Sequence, residues 1–441
     1  MKQRTVDNFH VTGGKQLSGE VTVNTSKNGA VTLLAASLLN AGPTTLKSVP
    51  NIEEVKRLLE VLESLDVTVS WEGRDLTLTP PANLNLENID VEAARKTRSI
   101  IMFIGPLIHM MRSFSLPQSG GCHLGSRTVR PHFFALENFG VDIQVTETSF
   151  EVSHTNLAAT EVIMYESGDT ATANAIMAAA RIPDTTVIKY ASANYQVQEL
   201  CNFLTALGVS IDGIGTTTLT ITGIANINTP ITYTLTEDPT DAMFFLAAAA
   251  TTNSEITIKR CPKAFLELEL ATLTKMNFRY AASDTYFAEN GVTELCDITT
   301  HPSTLTAAPE KIHARPYPGL NIDNLPFFAV IATQAEGTTL IHDWTYEKRA
   351  LYFTELDKLG AQTMLADPHR IFITGPTKLH GADLMSPPAL RPATILLIGM
   401  LAAEGNSTLR NVYSINRGYE DLVTKLTKLG ATITQTTEVI T

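Results

Sequence analysis

The 441-residue sequence predicts an α/β protein of two domains, each holding three copies of one helix–strand–helix–strand–strand unit. Three observations carry that prediction. A helix-ending phrase recurs six times, an apolar helix precedes each copy, and a break at residues 224–237 separates the third copy from the fourth. A unit that cannot bury its own apolar helix must pack it against its neighbours, so the repeat itself points to a shared core.

The phrases are LESLDVTV from Leu62, LENFGVDI from Leu136, LTALGVSI from Leu204, LTKMNFRY from Leu273, LDKLGAQT from Leu356 and LTKLGATI from Leu426. The fifth residue is Gly in four copies and Asp66 or Asn277 in the others, spaced 74, 68, 69, 83 and 70 residues apart. These types tolerate the left-handed conformation that closes a helix. Each unit opens with an apolar segment of roughly three helical turns: NGAVTLLAASLL, SIIMFIGPLIHMM, ATANAIMAAA, DAMFFLAAAA, DNLPFFAVIATQA and PATILLIGMLAA. Segments apolar nearly all round belong inside a domain. Strands follow in most copies, as TTLKSV, TTVIKY, EITIKR, TTLIHD and STLRNV, and an amphipathic helix then leads into the phrase. The boundaries expected are 27–236 for units one to three, with 1–26 plus 237–441 for units four to six. An N-terminal strand over Phe9–Val23 pairs with the second domain, and the domains face each other across a cleft.

The heads of the apolar segments carry the chemistry. They begin with Lys27-Asn28, Arg98-Ser99, Thr170 with Thr172, Asp238 with Asp241, Asp323-Asn324, and Arg391-Pro392. Helix N-termini attract anions, so a cation placed there opposes the dipole. Ordinary capping with incidental basic residues is one account. An anionic ligand among these heads is the other, and it explains why three of the six are basic. Arg349 and Arg417 add guanidiniums suited to bidentate phosphate or carboxylate contact.

Composition narrows the class. Hydrophobics at 44% and charged residues at 18% describe an ordinary soluble chain. A net charge of −12 argues against general nucleic-acid or anionic-membrane binding. The start MKQRTVDNFH has no secretory apolar run, and Ile100–Met111 and Thr394–Ala403 are too short to span a bilayer. The four cysteines, Cys122, Cys201, Cys261 and Cys296, form no CxxC pair, so a reduced, cytoplasmic setting fits. Cys122 stands out, because SLPQSGGCHLGSRTVRPH (Ser115–His132) sets it among glycines with Arg127, Arg130 and His132 close behind. Fixed positive charge lowers a thiol pKa, which suits proton transfer or covalent chemistry on an anion. A plain glycine-rich turn is the alternative.

Several spaced motifs carry a family likeness: SKNGAVTLLAASLL, RSIIMFIGPL, SLP..GGCHLGSR, TEL.KLGA after Arg349, and INRGYEDL. Over about His10 to Thr432 the chain resembles the enolpyruvyl transferases, most of all the branch acting on UDP-N-acetylglucosamine. The resemblance implies an inside-out α/β barrel of two domains with the active site in the interdomain cleft. It implies transfer of enolpyruvate from phosphoenolpyruvate to the 3′-hydroxyl of UDP-N-acetylglucosamine with release of phosphate, in peptidoglycan precursor synthesis. No metal or cofactor, nucleic acid or membrane is implied, and a monomer is expected. By matching motifs, Lys27 and Asn28 bind phosphoenolpyruvate, and Cys122 is the proton donor. Arg98, Arg127, Arg349, Arg391 and Arg417 surround the substrates, with Lys27 and Arg417 also in the catalytic set. Asp323 contacts the reacting hydroxyl and accepts its proton, while Arg127, Thr128, Val129, Arg130 and Pro131 line the nucleotide and Thr345 touches the sugar. Alkylation of Cys122 by fosfomycin is also implied.

The chain departs from the family pattern at three places. The loop reads SLPQSGGC, two residues longer than SLPGGC. The family's REPE run is ASANYQVQ here, and its Lys-SVGAT segment is YESGDTAT, with Glu166 in place of the lysine. Arg130 stands where an acid is common, so a charge swap with Glu166 is expected. Two rival readings are a same-fold transferase with another acceptor, such as shikimate 3-phosphate or another nucleotide, and a non-catalytic binding homologue. The shikimate branch usually shows a GNAGT-type run where this chain reads KTRSIIMF. Retention of Lys27, Cys122, Asp323 and the arginines together speaks against the second.

Overall fold

The computed structural model describes residues 4–118 and 128–440. Cys122 and Arg127 therefore lie outside the described residues. The described residues divide into two compact units, residues 25–118 with 128–236 in one (the 25–236 unit below), and residues 4–24 with 237–440 in the other (the 237–440 unit). Among the described residues no helix is long and apolar enough to cross a membrane.

In the 25–236 unit the buried helices are Lys27–Ala36, the 3₁₀ segment Arg98–Phe103 running into Ile104–Leu107, and Asp169–Ala179. They touch one another, and their side chains are almost wholly removed from water. Three sheets among the described residues cover them. Thr44–Lys47 pairs antiparallel with Asp75–Thr79, which pairs with Thr68–Glu72. Ser113–Pro117 pairs with Ser149–His154, and that with Val141–Val145. Thr185–Lys189 pairs with Thr218–Thr222, and that with Ser210–Asp212. Alternation puts one face of each strand inward, as with Leu76 and Leu78 in Asp75–Thr79.

The 237–440 unit repeats the plan. Its helices Pro239–Thr251, Phe327–Ala332 and Leu390–Ala402 form its core with the inward faces of its own sheets. Glu255–Pro262 and Gly337–His342 each pair with the last strand of their unit, Glu294–His301 and Arg370–Gly375. Helices inside and sheets outside is the inside-out α/β arrangement that the resemblance implies, and the shared helical cores are those expected of the repeat.

Four differences from the sequence reading have physical causes. The N-terminal segment is two strands, Arg4–Gly13 and Ser18–Thr22, in two different sheets. They break at Gly13-Gly14, because a Cβ on Gly13 would lie 2.1 Å from the Met400 carbonyl oxygen and Gly14 has φ +77. The chain start pairs with strands of the second domain, as expected; the difference is that Arg4–Gly13 lies between Gly405–Arg410 and Thr432–Ile440 and so completes the last sheet. Short linker strands form a parallel edge on five sheets: Ser18–Thr22, Glu161–Ile163, Ile231–Thr234, Ile312–His313 and Asp383–Met385. The helices of units two and five are shorter than three turns: Pro106 lies inside the first and removes an N–H donor, and Phe327–Ala332 begins only after Pro326 at its N-cap. The six phrase-closing residues Asp66, Gly140, Gly208, Asn277, Gly360 and Gly430 all have positive φ, as expected.

Candidate active site

In the 25–236 unit a single carboxylate gathers two helix heads. Lys27 begins its helix, with Ser26 capping the Gly29 N–H at 2.8 Å. A cation at that end is disfavoured by the helix dipole. Glu54, from the first turn of the surface helix Glu53–Ser64, offsets this with Oε2 3.3 Å from Lys27 Nζ. Its Oε1 accepts from Thr97 Oγ1 at 3.1 Å and Ser99 Oγ at 2.9 Å. Those two residues flank Arg98, whose Nη2 donates to the Thr128 carbonyl at 3.1 Å. Asn28 accepts from Lys27 Nζ at 3.2 Å and donates to Tyr195 Oη at 2.9 Å. Lys27, Asn28, Arg98 and Thr128 are thus joined in one hydrogen-bonded group.

Val129 precedes the helix Arg130–Glu137, in which Pro131 is buried and Arg130 is exposed. Glu166 is exposed too, and among the described residues no ion pair joins it to Arg130. The two segments that depart from the family pattern meet each other. Asp169 accepts from Ser192 Oγ at 2.5 Å, Asn194 Nδ2 at 3.0 Å and Gln196 Nε2 at 2.7 Å. His132 is held between Asn174 Nδ2, 2.9 Å from Nδ1, and Thr170 Oγ1, 3.2 Å from Nε2.

The 237–440 unit also brings its helix heads together. Arg391 Nη2 donates to Thr240 Oγ1 at 2.8 Å and lies 3.5 Å from Asp323 Oδ2. Its Nη1 donates to Tyr419 Oη at 2.8 Å. Burial pushes the Tyr419 phenol above its ordinary range, which keeps it neutral. The Asp323 side chain is 26% exposed. The Asp323 N–H donates to Asn321 Oδ1 at 2.8 Å. Arg349 is 1% exposed, pairs with the buried Asp343, stacks on Tyr346 and donates to the Ile322 carbonyl at 2.9 Å. Arg417 is half-buried at the end of Tyr413–Asn416, and Thr345 is exposed.

Sequence reasoning missed Glu54, Glu269, Asp343, Tyr195 and Tyr419, which hold the named residues in place. The one signal available was a pair of acids in the first turn of a surface helix, Glu53-Glu54 and Glu267 with Glu269. Chemically, the arrangement offers cations and neutral donors to an anion, and a carboxylate to an acidic proton.

Comparison with known proteins completes the description. Residues 11–426 match the family of EPSP synthase (3-phosphoshikimate 1-carboxyvinyltransferase). A UDP-N-acetylglucosamine 1-carboxyvinyltransferase of Treponema pallidum is 33% identical over 429 residues, 96% of this chain and 98% of that one. One from Bacteroides thetaiotaomicron is 32% identical over 445 residues, 97% of this chain and 99% of that one. Among solved structures, the enolpyruvyl transferase NikO of Streptomyces tendae superposes with a TM-score of 0.85 at 24% identity, covering 99% of this chain and 100% of that one. EPSP synthase of Acinetobacter baumannii gives 0.75 at 17%, covering 98% of this chain and 100% of that one. At those identities the two structures speak to the fold.

Proposed function

Since the chain belongs to the EPSP synthase family of carboxyvinyl transferases, we propose that it transfers the enolpyruvyl group of phosphoenolpyruvate to UDP-N-acetylglucosamine and releases phosphate. The observation that carries the acceptor is the near end-to-end match to relatives bearing that activity in their names. Peptidoglycan precursor synthesis, in the cytoplasm where both substrates are made, is the corresponding role.

The residues divide the work as follows. Phosphoenolpyruvate carries about three negative charges, so several cations with fixed geometry are needed to hold it. Lys27, Asn28 and Arg98 supply one group, joined through Glu54. Arg391 supplies another beside Asp323, with Arg127 and Arg417 completing the set, while buried Arg349 supports it from beneath through Asp343 and the Ile322 carbonyl. Cys122 gives its proton to C3 of phosphoenolpyruvate while the sugar oxygen bonds to C2. Asp323 accepts the proton of that hydroxyl. Loss of a proton from the new methyl group and departure of phosphate then restore the double bond. Thr128, Val129, Arg130 and Pro131 bind the nucleotide, and Thr345 binds the sugar.

Mass spectrometry of the product tests this reading. Incubation with both substrates should yield UDP-N-acetylglucosamine bearing one enolpyruvyl ether. Unchanged sugar nucleotide, with shikimate 3-phosphate converted instead, would contradict it.

A further inference from the structure

Two buried glutamates occupy matching places in the repeat. Glu54 lies in the first turn of the surface helix of unit one and bonds to the head of unit two. Glu269 lies in the first turn of the surface helix Glu267–Lys275 of unit four and bonds to the head of unit five. Each unit is the first of its domain, and each carboxylate reaches forward to the next buried helix.

The contacts are specific. Glu269 is 2% exposed. Its Oε1 accepts from the Asn321 N–H at 2.9 Å and from Asn324 Nδ2 at 2.8 Å. Asn321 in turn caps the Asp323 N–H. The residues on both sides of Asp323, and its own N–H, are therefore fixed by one carboxylate and one amide. Among the described residues no cation pairs with Glu269, and burial raises its pKa. A carboxylate buried on neutral donors costs free energy that a smaller apolar side chain would avoid. One oxygen that accepts from both donors fixes the turn between them, and a fixed turn is what that cost supports. Glu54 is 5% exposed and does the same for Thr97 and Ser99 on either side of Arg98, while its other oxygen holds Lys27.

We propose that Glu54 and Glu269 are positioning residues, Glu54 for the phosphoenolpyruvate-binding Lys27 and Arg98 and Glu269 for the proton acceptor Asp323. This rests on the roles given to those three residues above. The two glutamates act on different steps, so their loss separates in the kinetics. Glu269→Ala and Asn321→Ala each misplace Asp323 and lower kcat, by about 100-fold, with KM for phosphoenolpyruvate near that of the wild type. Glu54→Ala loosens Lys27 and Arg98 and raises that KM by about 10-fold or more. Glutamine rescues the two positions unequally. Glu269→Gln keeps an acceptor for both N–H donors and restores most of kcat. Glu54→Gln keeps the hydroxyl bonds but leaves Lys27 without its anionic partner, so KM recovers only in part.

The experiment is steady-state kinetics of these variants with phosphoenolpyruvate and UDP-N-acetylglucosamine, with thermal midpoints alongside. The split, with the unequal rescue, is the expected result. Folded alanine variants with wild-type kcat and KM overturn the proposal. So do parallel losses of both parameters that merely follow the thermal midpoint. If Glu269→Ala or Glu54→Ala does not fold, Asn321→Ala decides the first position by its kcat and Glu54→Gln decides the second by its KM. A wild type without turnover sinks the acceptor assignment instead, and calorimetric binding of phosphoenolpyruvate to wild type and Glu54→Gln then decides: equal affinity overturns the proposal, weaker affinity in the variant supports it.

Discussion

Arg349 and Arg391 are the same residue type near the same turn, yet their surroundings give them different work. Arg349 is 1% exposed and paired with Asp343, which is wholly buried. Arg391 bonds to a phenol and a hydroxyl and stands beside the carboxylate of Asp323. Arg349→Ala leaves a buried carboxylate alone and should cost about 3–5 kcal/mol in a denaturant titration. A loss under 1 kcal/mol would mean that Asp343 finds water or another partner. The cysteines separate in the same way. Burial pushes the Cys201 thiol up to about 12 and raises Cys261 and Cys296 as well. Iodoacetamide at neutral pH should therefore leave these three unlabelled in the folded protein and modify Cys122, read by peptide mass. At this scale the sequence showed which residues bear chemistry, because Lys27, Arg98, Asp323 and Arg391 fall at helix heads where cations and acids are informative. It could not show Tyr419 or Glu269, whose meaning comes from partners distant in the chain, nor Asp343, whose pairing with nearby Arg349 is set by the fold of the turn between them.

The buried helices were legible as elements, since runs such as DAMFFLAAAA have no polar face to present to water. Their lengths were less so. Pro106 turns most of one helix into 3₁₀ geometry, and His109 follows just beyond it with Nε2 on the Met177 carbonyl at 3.2 Å. Burial, with help from Arg181, lowers the His109 pKa from 6.5 to about 4. The folded state then binds fewer protons than the unfolded one between those values, so its stability falls as pH drops from 6.5 towards about 4. His109→Gln can keep the bond to Met177 and has no proton to take up. Its thermal midpoint should fall less than that of wild type across this window. Equal slopes would show that His109 is already protonated in the folded protein. The parallel edge strands were missed for another reason. Segments such as Ile312–His313 and Asp383–Met385 are too short to show a period of their own, and only a neighbouring strand defines them.

At the scale of the whole chain the sixfold repeat carried the architecture, because phrase spacing survives where residue identity does not. The repeat could not reveal that the chain start closes the last sheet. Arg4–Gly13 sits between Gly405–Arg410 and Thr432–Ile440, so it is a central strand and both neighbours depend on it. Removing residues 1–13 should leave a protein that fails to accumulate in soluble form or melts well below wild type. An unchanged thermal midpoint would contradict that dependence. Phosphate release from phosphoenolpyruvate decides the chemistry, measured with UDP-N-acetylglucosamine present or absent and shikimate 3-phosphate in parallel. Release is expected only with the sugar nucleotide and is lost in Asp323→Asn. Release with shikimate 3-phosphate alone, or with no acceptor dependence at all, would contradict it.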